Sequence, residues 1–552
     1  MSEAPIALNA GQLDGLIRRV QEAGEHELAL SGDDLRLLLN ALLMLTELQN
    51  QMAAQDMTIR KLRKLAGIVK NSEQLKDLVP GAITSDKPDK GKTPRKNKPK
   101  TKSEKPPPPA RCFHNIEGLE KGQACPECER GKLYKYEPAL VLRISGQTPL
   151  TSVQHILERL RCNTCGAYFT AQAPPEVTLD GPIEQQYGYT ARALMGIQKY
   201  FAGAPFYRQQ TLQQLLGRPV SASSVFDQCE QLANAIQPLF ACLIALAGNA
   251  VLYLIDDTTN RILSQGPIQK PDRRTGKLKE RTGIYTSAAI ATLGNGHQCV
   301  LYQTNIGHAG EWLDELLRTR PPTAPPPLVM SDASSNNRPS VIADYHPVLC
   351  NSHGRREYVE VIAHFPDQVE WVLERYSHIW RNETHCQEHQ LSAAQRLAYH
   401  QAHSLPIMEQ IRDWGNQQLE HATVEANSGL GQAIGYFGRH FEGLTAFCRF
   451  ENAPIDNNQT EQVLKLIIRG RKNALFFKTP AGAAIADVIT SVVATAEQAG
   501  INAFDYLVAL QRHQQAVRSQ PEQWLPWNYP IALELEKTAA VENAVAAEKK
   551  AA

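Results

Sequence analysis

An excess of charge of one sign is what this sequence most clearly lacks. Across 552 residues, 58 Lys and Arg stand against 57 Asp and Glu, a formal net charge of +1. Bulk attraction to nucleic acid, membrane or acidic substrate does not follow from that balance, so any such contact must come from local clustering. Long hydrophobic runs are also missing. The stretch from Leu37 to Leu45 is interrupted by Asn40 and falls short of the roughly 20 apolar residues that span a bilayer. The beginning, MSEAPIALNAGQ, has neither the basic start nor the apolar centre of a signal peptide. Eleven cysteines in such a length exclude a disulfide-stapled scaffold. These absences lead us to expect a soluble cytoplasmic protein with no membrane partner. Its composition, 42% hydrophobic and 21% charged, suits a globular chain of several domains.

Residues 1–78 are expected to be helical and to oligomerise. Leu38, Leu45, Met52 and Ile59 recur every seven residues, with Leu48, Leu62 and Val69 on the companion seam, as in a coiled-coil homodimer. Residues 79–110 change character: DKPDKGKTPRKNKPKTKSEKPPPPA has no large apolar residue, which predicts a disordered basic linker able to bind phosphates through counterion release. Residues 111–176 enclose Cys125, Cys128, Cys162 and Cys165, two CxxC pairs. Each pair can grip one Zn²⁺ through two thiolates, and together they complete a tetrahedral structural site. In residues 177–247 three helical stretches follow one another. The turn GRPVSASS, with Ser221 as an N-cap, makes the last two compatible with a DNA-binding helix-turn-helix.

At 249 the period changes. NAVLYLI is a β-rich run that stops at Asp256, and YTSAAIATL and QCVLYQTNI are joined by Gly-Asn-Gly, a hairpin signal. A helix (GEWLDELLRTR), a strand (PPLVMS) stopping at Asp332, and a fifth strand (HPVLCNS) follow. This order, over 248–365, resembles the first part of a ribonuclease H-like catalytic core. It predicts a multidomain α/β protein with a mixed five-stranded sheet and helices. Residues 366–450 are expected as a helical insertion, 451–500 as the second part of the core, and 501–552 as a C-terminal tail.

Three acids suit metal-assisted phosphoryl transfer: Asp256 and Asp332 at strand ends and Glu461 on a helix. Acidic oxygens from separate elements are needed to hold two Mg²⁺ or Mn²⁺ ions about 4 Å apart, one beside the attacking and one beside the leaving oxygen. Asp257 should point to the opposite face of the strand from Asp256, and Asp456 should serve the turn before the helix. The hairpin QKPDRRTGKLKER (269–281) carries Arg273, Arg274, Lys277, Lys279 and Arg281 as candidate DNA-backbone contacts. Arg471 and Lys472, and His353 with Arg355 and Arg356, are candidate phosphate clamps.

Several long motifs then fall in one order. Asp256-Asp257-Thr258 is similar to an Asp-Glu-Thr motif. Cys350, His353, Arg355 and Arg356 resemble a Cys-x-x-His-x-Arg-Arg segment. IDNNQTEQVLKLIIRGRKNALF (455–476) and WLPWNY (524–529) resemble two further signatures of the insertion-sequence 66 family of bacterial transposases. The resemblance covers nearly the whole chain. Departures are Asp332-Ala333-Ser334 for Asp-Gly-Tyr, Gln462 for Arg, Lys465 for Arg and Asp257 for Glu. The resemblance implies a DDE transposase that nicks element ends and joins the freed 3′-hydroxyl to target DNA. It also implies transposon-end and target DNA as partners, association with the nucleoid, and small accessory proteins. Two alternatives use the same residues: a non-catalytic DNA-binding or regulatory derivative, and a ribonuclease H-like nuclease without transposition.

Overall fold

The computed structural model describes residues 19–20, 31–37, 121–123, 132, 148–161, 168–271, 276–340, 344–536 and 538. The heptad seam from Leu38 to Val69, the basic linker, the four CxxC cysteines, and Arg273 and Arg274 lie outside the described residues. The chain divides into two compact units. One contains Lys90–Cys350 and Glu442–Ala552, and the other contains Asn351–Phe441.

In the larger unit a short antiparallel pair, β1 (Arg159–Arg161) and β2 (Tyr168–Thr170), precedes three helices. These are α1 (Tyr189–Tyr200), α2 (Phe206–Leu215) and α3 (Ala222–Ala247). Ser221 caps α3 by accepting from the Ser224 N–H at 3.0 Å. α3 is long and apolar enough to cross a membrane by composition, but Leu232, Ile236, Leu239 and Leu243 are buried in the main core. Packed in this way, α3 works as a core helix behind its turn.

The expected mixed sheet of five strands is present. It comprises β3 (Leu252–Asn260), β6 (Ile284–Thr292), β7 (Gln298–Asn305), β8 (Leu328–Ser331) and β9 (His346–Leu349), in the order β7-β6-β3-β8-β9. β3 is antiparallel to β6 and parallel to β8, as β8 is to β9. Leu252 to Ile255 are buried without alternation, as expected of a central strand covered on both faces. The hairpin β4 (Ile268–Pro271) and β5 (Leu278–Arg281) leaves the sheet between β3 and β6.

Two strand limits differ from the sequence expectation. β3 does not stop at Asp256: it continues to Asn260, paired residue by residue with β6. Polar Thr258 and Thr259 stay in the strand because the ladder is made by backbone groups, to which side-chain polarity is irrelevant. β9 ends at Leu349, and Asn351 already opens a helix.

α4 (Ala309–Leu317) follows β7, and α10 (Asn458–Ala474) and α11 (Pro480–Gln498) return to the sheet. β7 is an edge strand, and α11 covers it. The outward N–H groups of Val300, Tyr302 and Thr304 donate to Thr495 Oγ1, Ser491 Oγ and Asp487 Oδ2 at 3.0, 2.9 and 2.7 Å. Four helical residues advance about 6 Å and two strand residues about 6.6 Å, so the two ladders stay in step. An edge that would otherwise invite another strand is thereby closed. Residues 501–536, expected as a tail, are built into the core: Tyr506, Leu510, Val517 and Trp524 belong to the same buried cluster. Trp527 stacks on His297 of the β6–β7 turn, with ring centroids 4.6 Å apart.

The smaller unit is helical. α5 (Asn351–Val359) leads to α6 (Pro366–Glu388), α7 (Ala393–His403), α8 (Leu405–Glu420) and α9 (Gly429–Leu444). Tyr358, Tyr376 and Phe437 meet edge to face in its interior. Glu383 accepts from Arg396 and from fully buried His400, each at 2.9 Å, and these contacts hold its carboxyl down to about 2 against the upward push of burial.

Candidate active site

The parallel register between β3 and β8 runs Leu252↔Leu328 to Leu254↔Met330. Continued by two residues, it sets Asp256 opposite Asp332, just where the two strands part. Asp332 follows the last residue of β8 and closes a tight turn: its Oδ1 accepts from the Ser334 N–H at 3.1 Å and from Asn337 Nδ2 at 2.9 Å. Ser334, at one of the departures from the family pattern, turns its hydroxyl to the Asn336 N–H at 3.4 Å.

Alternation along β3 separates the two neighbouring aspartates. Asp257 turns to α4. Its Oδ2 accepts from the Ala309 N–H at 3.2 Å and pairs with His308 Nδ1 at 2.9 Å, and His308 packs on Tyr285 at 4.0 Å. A carboxylate at the first N–H groups of a helix is favoured by charge and by hydrogen bonding. Asp256 takes the other face, toward α10.

α10 is anchored before it starts. Asn457, fully buried, donates its side-chain amide to the Ile255 carbonyl at 2.9 Å and its backbone N–H to Cys350 Sγ at 3.2 Å. Its Oδ1 accepts from the Thr460 hydroxyl at 2.8 Å. The turn before it is held by Asp456, which accepts from the backbone and side-chain amides of Asn458. Glu461 then lies in the first turn of α10. The sequence marked Asn457 within a motif but gave no hint of its bond to Ile255, because the partners are 202 positions apart.

The electrostatics register this crowding. Burial, and then the charges of Asp332, Asp257 and Glu461, push the Asp256 carboxyl up to about 7 from an ordinary 3.8, against the downward pull of the Asp257 N–H. A crowded set of carboxylates of which one resists ionisation is a donor set suited to a hard divalent cation. Among the described residues, no three His, Cys, Asp or Glu side chains converge closely enough to share a single ion.

The basic candidates divide. Arg281 and Lys270 both clasp Glu311 of α4 at 2.5 Å, which fastens the base of the β4–β5 hairpin. Lys277 and Lys279 are exposed. Arg471 donates to the Thr258 hydroxyl at 3.2 Å and to the Thr259 hydroxyl at 2.8 Å and carbonyl, while Lys472 is exposed. His353, Arg355 and Arg356 all lie on α5 of the helical unit.

A mixed five-stranded sheet with flanking helices and carboxylates crowded around its central strand is consistent with a DDE-transposase-like core. The profile of the Transposase IS66 family matches residues 184–485, more than half of the chain. The protein belongs to that family. It is similar to an uncharacterized protein, y4hP, of Sinorhizobium fredii (strain NBRC 101917 / NGR234), at 24% identity over 69% of this chain and 68% of the relative. A second protein of that strain, y4jD, is 27% identical over 38% of this chain and 40% of the relative.

Proposed function

We propose that this family member is an active DNA transposase of the DDE type, with Asp256, Asp332 and Glu461 as its catalytic acids. The observation that carries this reading is geometric: the β3–β8 register sets Asp256 opposite Asp332, and Asn457 fastens the helix of Glu461 to the residue before Asp256. When bound at these carboxylates, two Mg²⁺ or Mn²⁺ ions would supply Lewis-acid activation of the attacking oxygen and neutralise charge on the leaving oxygen. The chain's own residues do the positioning. β3 and β8 hold two acids at one register, and Asn457 pins the helix of the third to β3. Asp257, bound to His308 and the start of α4, stiffens β3 from behind. Exposed Lys277, Lys279 and Lys472 attract the DNA backbone, together with Arg273, Arg274, Arg355 and Arg356.

The same proposal includes a structural Zn²⁺ at Cys125, Cys128, Cys162 and Cys165, self-association through residues 33–70, and element-end and target DNA as substrates. Accessory proteins belong with it as partners. The test is an in vitro reaction on duplex DNA carrying the element's ends, with Mg²⁺ and a target plasmid. Nicking at the ends followed by covalent joining of the 3′-hydroxyl to the plasmid supports the reading. Specific end binding without nicking would instead favour the non-catalytic derivative, and nicking without joining would favour the simple nuclease.

A further inference from the structure

Beyond Arg471, near the last turn of α10, an open cleft whose enclosed part measures about 40 Å³ lies between α1, α10, α11 and the outgoing end of β3. Its walls are mostly apolar, with Tyr200, Phe476 and Phe477 supplying rings. Two cations, Lys199 and Arg471, line it, and no carboxylate among the described residues does. Lys199 sits 5.0 Å from the ring centre of Phe206 and 5.8 Å from that of Tyr200, with no ion-pair partner among the described residues. Burial lowers its pKa. Among the described residues, the Arg471 side chain bonds to the neutral oxygens of Thr258 and Thr259.

Unbalanced positive charge in an apolar cleft is costly unless an anion joins it. Leu475, the residue before the lining Phe476, holds a φ of 67°, a strained value for a residue other than Gly. Leu475 and its neighbour Phe476 are 67% and 41% exposed. An apolar pair presented to solvent beside two cations has the chemistry that parts stacked bases.

We propose that this cleft is a nucleotide subsite, which takes one unstacked DNA base among Tyr200, Phe476 and Phe477 and its phosphate on Lys199 and Arg471. The proposal rests on DNA being the substrate and adds where a single nucleotide is gripped. Arg471 is ten residues beyond Glu461, about 15 Å along the helix axis, so the gripped nucleotide lies a few positions along the strand from the acids.

The experiment measures acetylation of Lys199 by acetic anhydride in the full-length protein, read by peptide mass spectrometry. The probes are dAMP, deoxyadenosine and inorganic phosphate, with Lys277 as the internal control. The expected result is several-fold slower acetylation of Lys199 with dAMP, a weaker effect with phosphate, none with deoxyadenosine, and no change at Lys277. Phe476→Ala, at an exposed position, should reduce protection by dAMP and leave that by phosphate intact. Equal reactivity with and without dAMP overturns the proposal, as does full dAMP protection in Phe476→Ala. A protein that cleaves DNA yet shows no protection refutes the subsite alone. One that shows protection yet does not cleave refutes the catalytic reading alone.

Discussion

Asn457 donates its side-chain amide to the carbonyl of Ile255, so the helix bearing Glu461 is fastened to the residue directly before Asp256. This bond fixes how far one acid stands from another without touching either. Asn457→Ala would leave the Ile255 carbonyl unpaired and let α10 drift. The expected loss is about 10- to 100-fold in DNA cleavage, the range seen when groups that orient metal ligands are removed. The loss should be partly recovered at raised Mg²⁺. A cleavage rate unchanged at every Mg²⁺ concentration would show that the anchor has no part in positioning Glu461.

Asp257 and Asp256 are adjacent yet should behave oppositely. Asp257→Asn removes a charge from the start of α4 and weakens the pair with His308, at a cost of about 1 kcal/mol. Thermal melting should register that cost while Mg²⁺-dependent cleavage survives. Abolished cleavage with an unchanged melting temperature would put Asp257 among the ligands.

The α11 ladder predicts a pH dependence. Burial pushes Asp487 up to about 7 from an ordinary 3.8, despite its bonds from the Thr304 N–H and hydroxyl. The folded protein therefore holds a proton that the unfolded chain releases near the lower value. Stability from this group falls as pH rises from about 4 to about 7 and is level above that. Relative to wild type, Asp487→Asn should gain melting temperature across that window, and parallel curves would contradict the assignment. Ser491→Ala strands the buried Tyr302 N–H and should cost about 1–3 kcal/mol.

The β4–β5 hairpin predicts a salt effect. Because Lys270 and Arg281 are engaged by Glu311, backbone contact by the described residues of the hairpin falls to Lys277 and Lys279. The double variant Lys277→Ala/Lys279→Ala should weaken DNA binding regardless of sequence and reduce the slope of log affinity against log salt by about 2. An unchanged slope would place DNA elsewhere.

Much of this was legible in the sequence, for physical reasons that also mark the limits. The apolar run before Asp256 announced a central strand, because a strand covered on both faces needs no alternation. The same cue misplaced its end, since Thr258 and Thr259 stay in the strand through backbone bonds that leave no side-chain pattern. Asp257 was readable as facing away from Asp256 by the two-residue period alone. The polar stripe Asp487, Ser491 and Thr495, four residues apart on an otherwise apolar helix, could have revealed the covered edge. Nothing local pointed to Asn457 with Ile255, or to Glu311 with Lys270 and Arg281. Such long-range pairs are created by the fold.

The most direct test of the central claim is Mg²⁺-dependent cleavage of element-end DNA by Asp256→Asn, Asp332→Asn and Glu461→Gln beside wild type. Each variant is first checked for native melting and for DNA binding. The account predicts that all three bind DNA and none cleaves it, while Asp257→Asn and Asp456→Asn still do. Retained cleavage by Glu461→Gln, or its loss in Asp456→Asn, would contradict the assignment of the third acid.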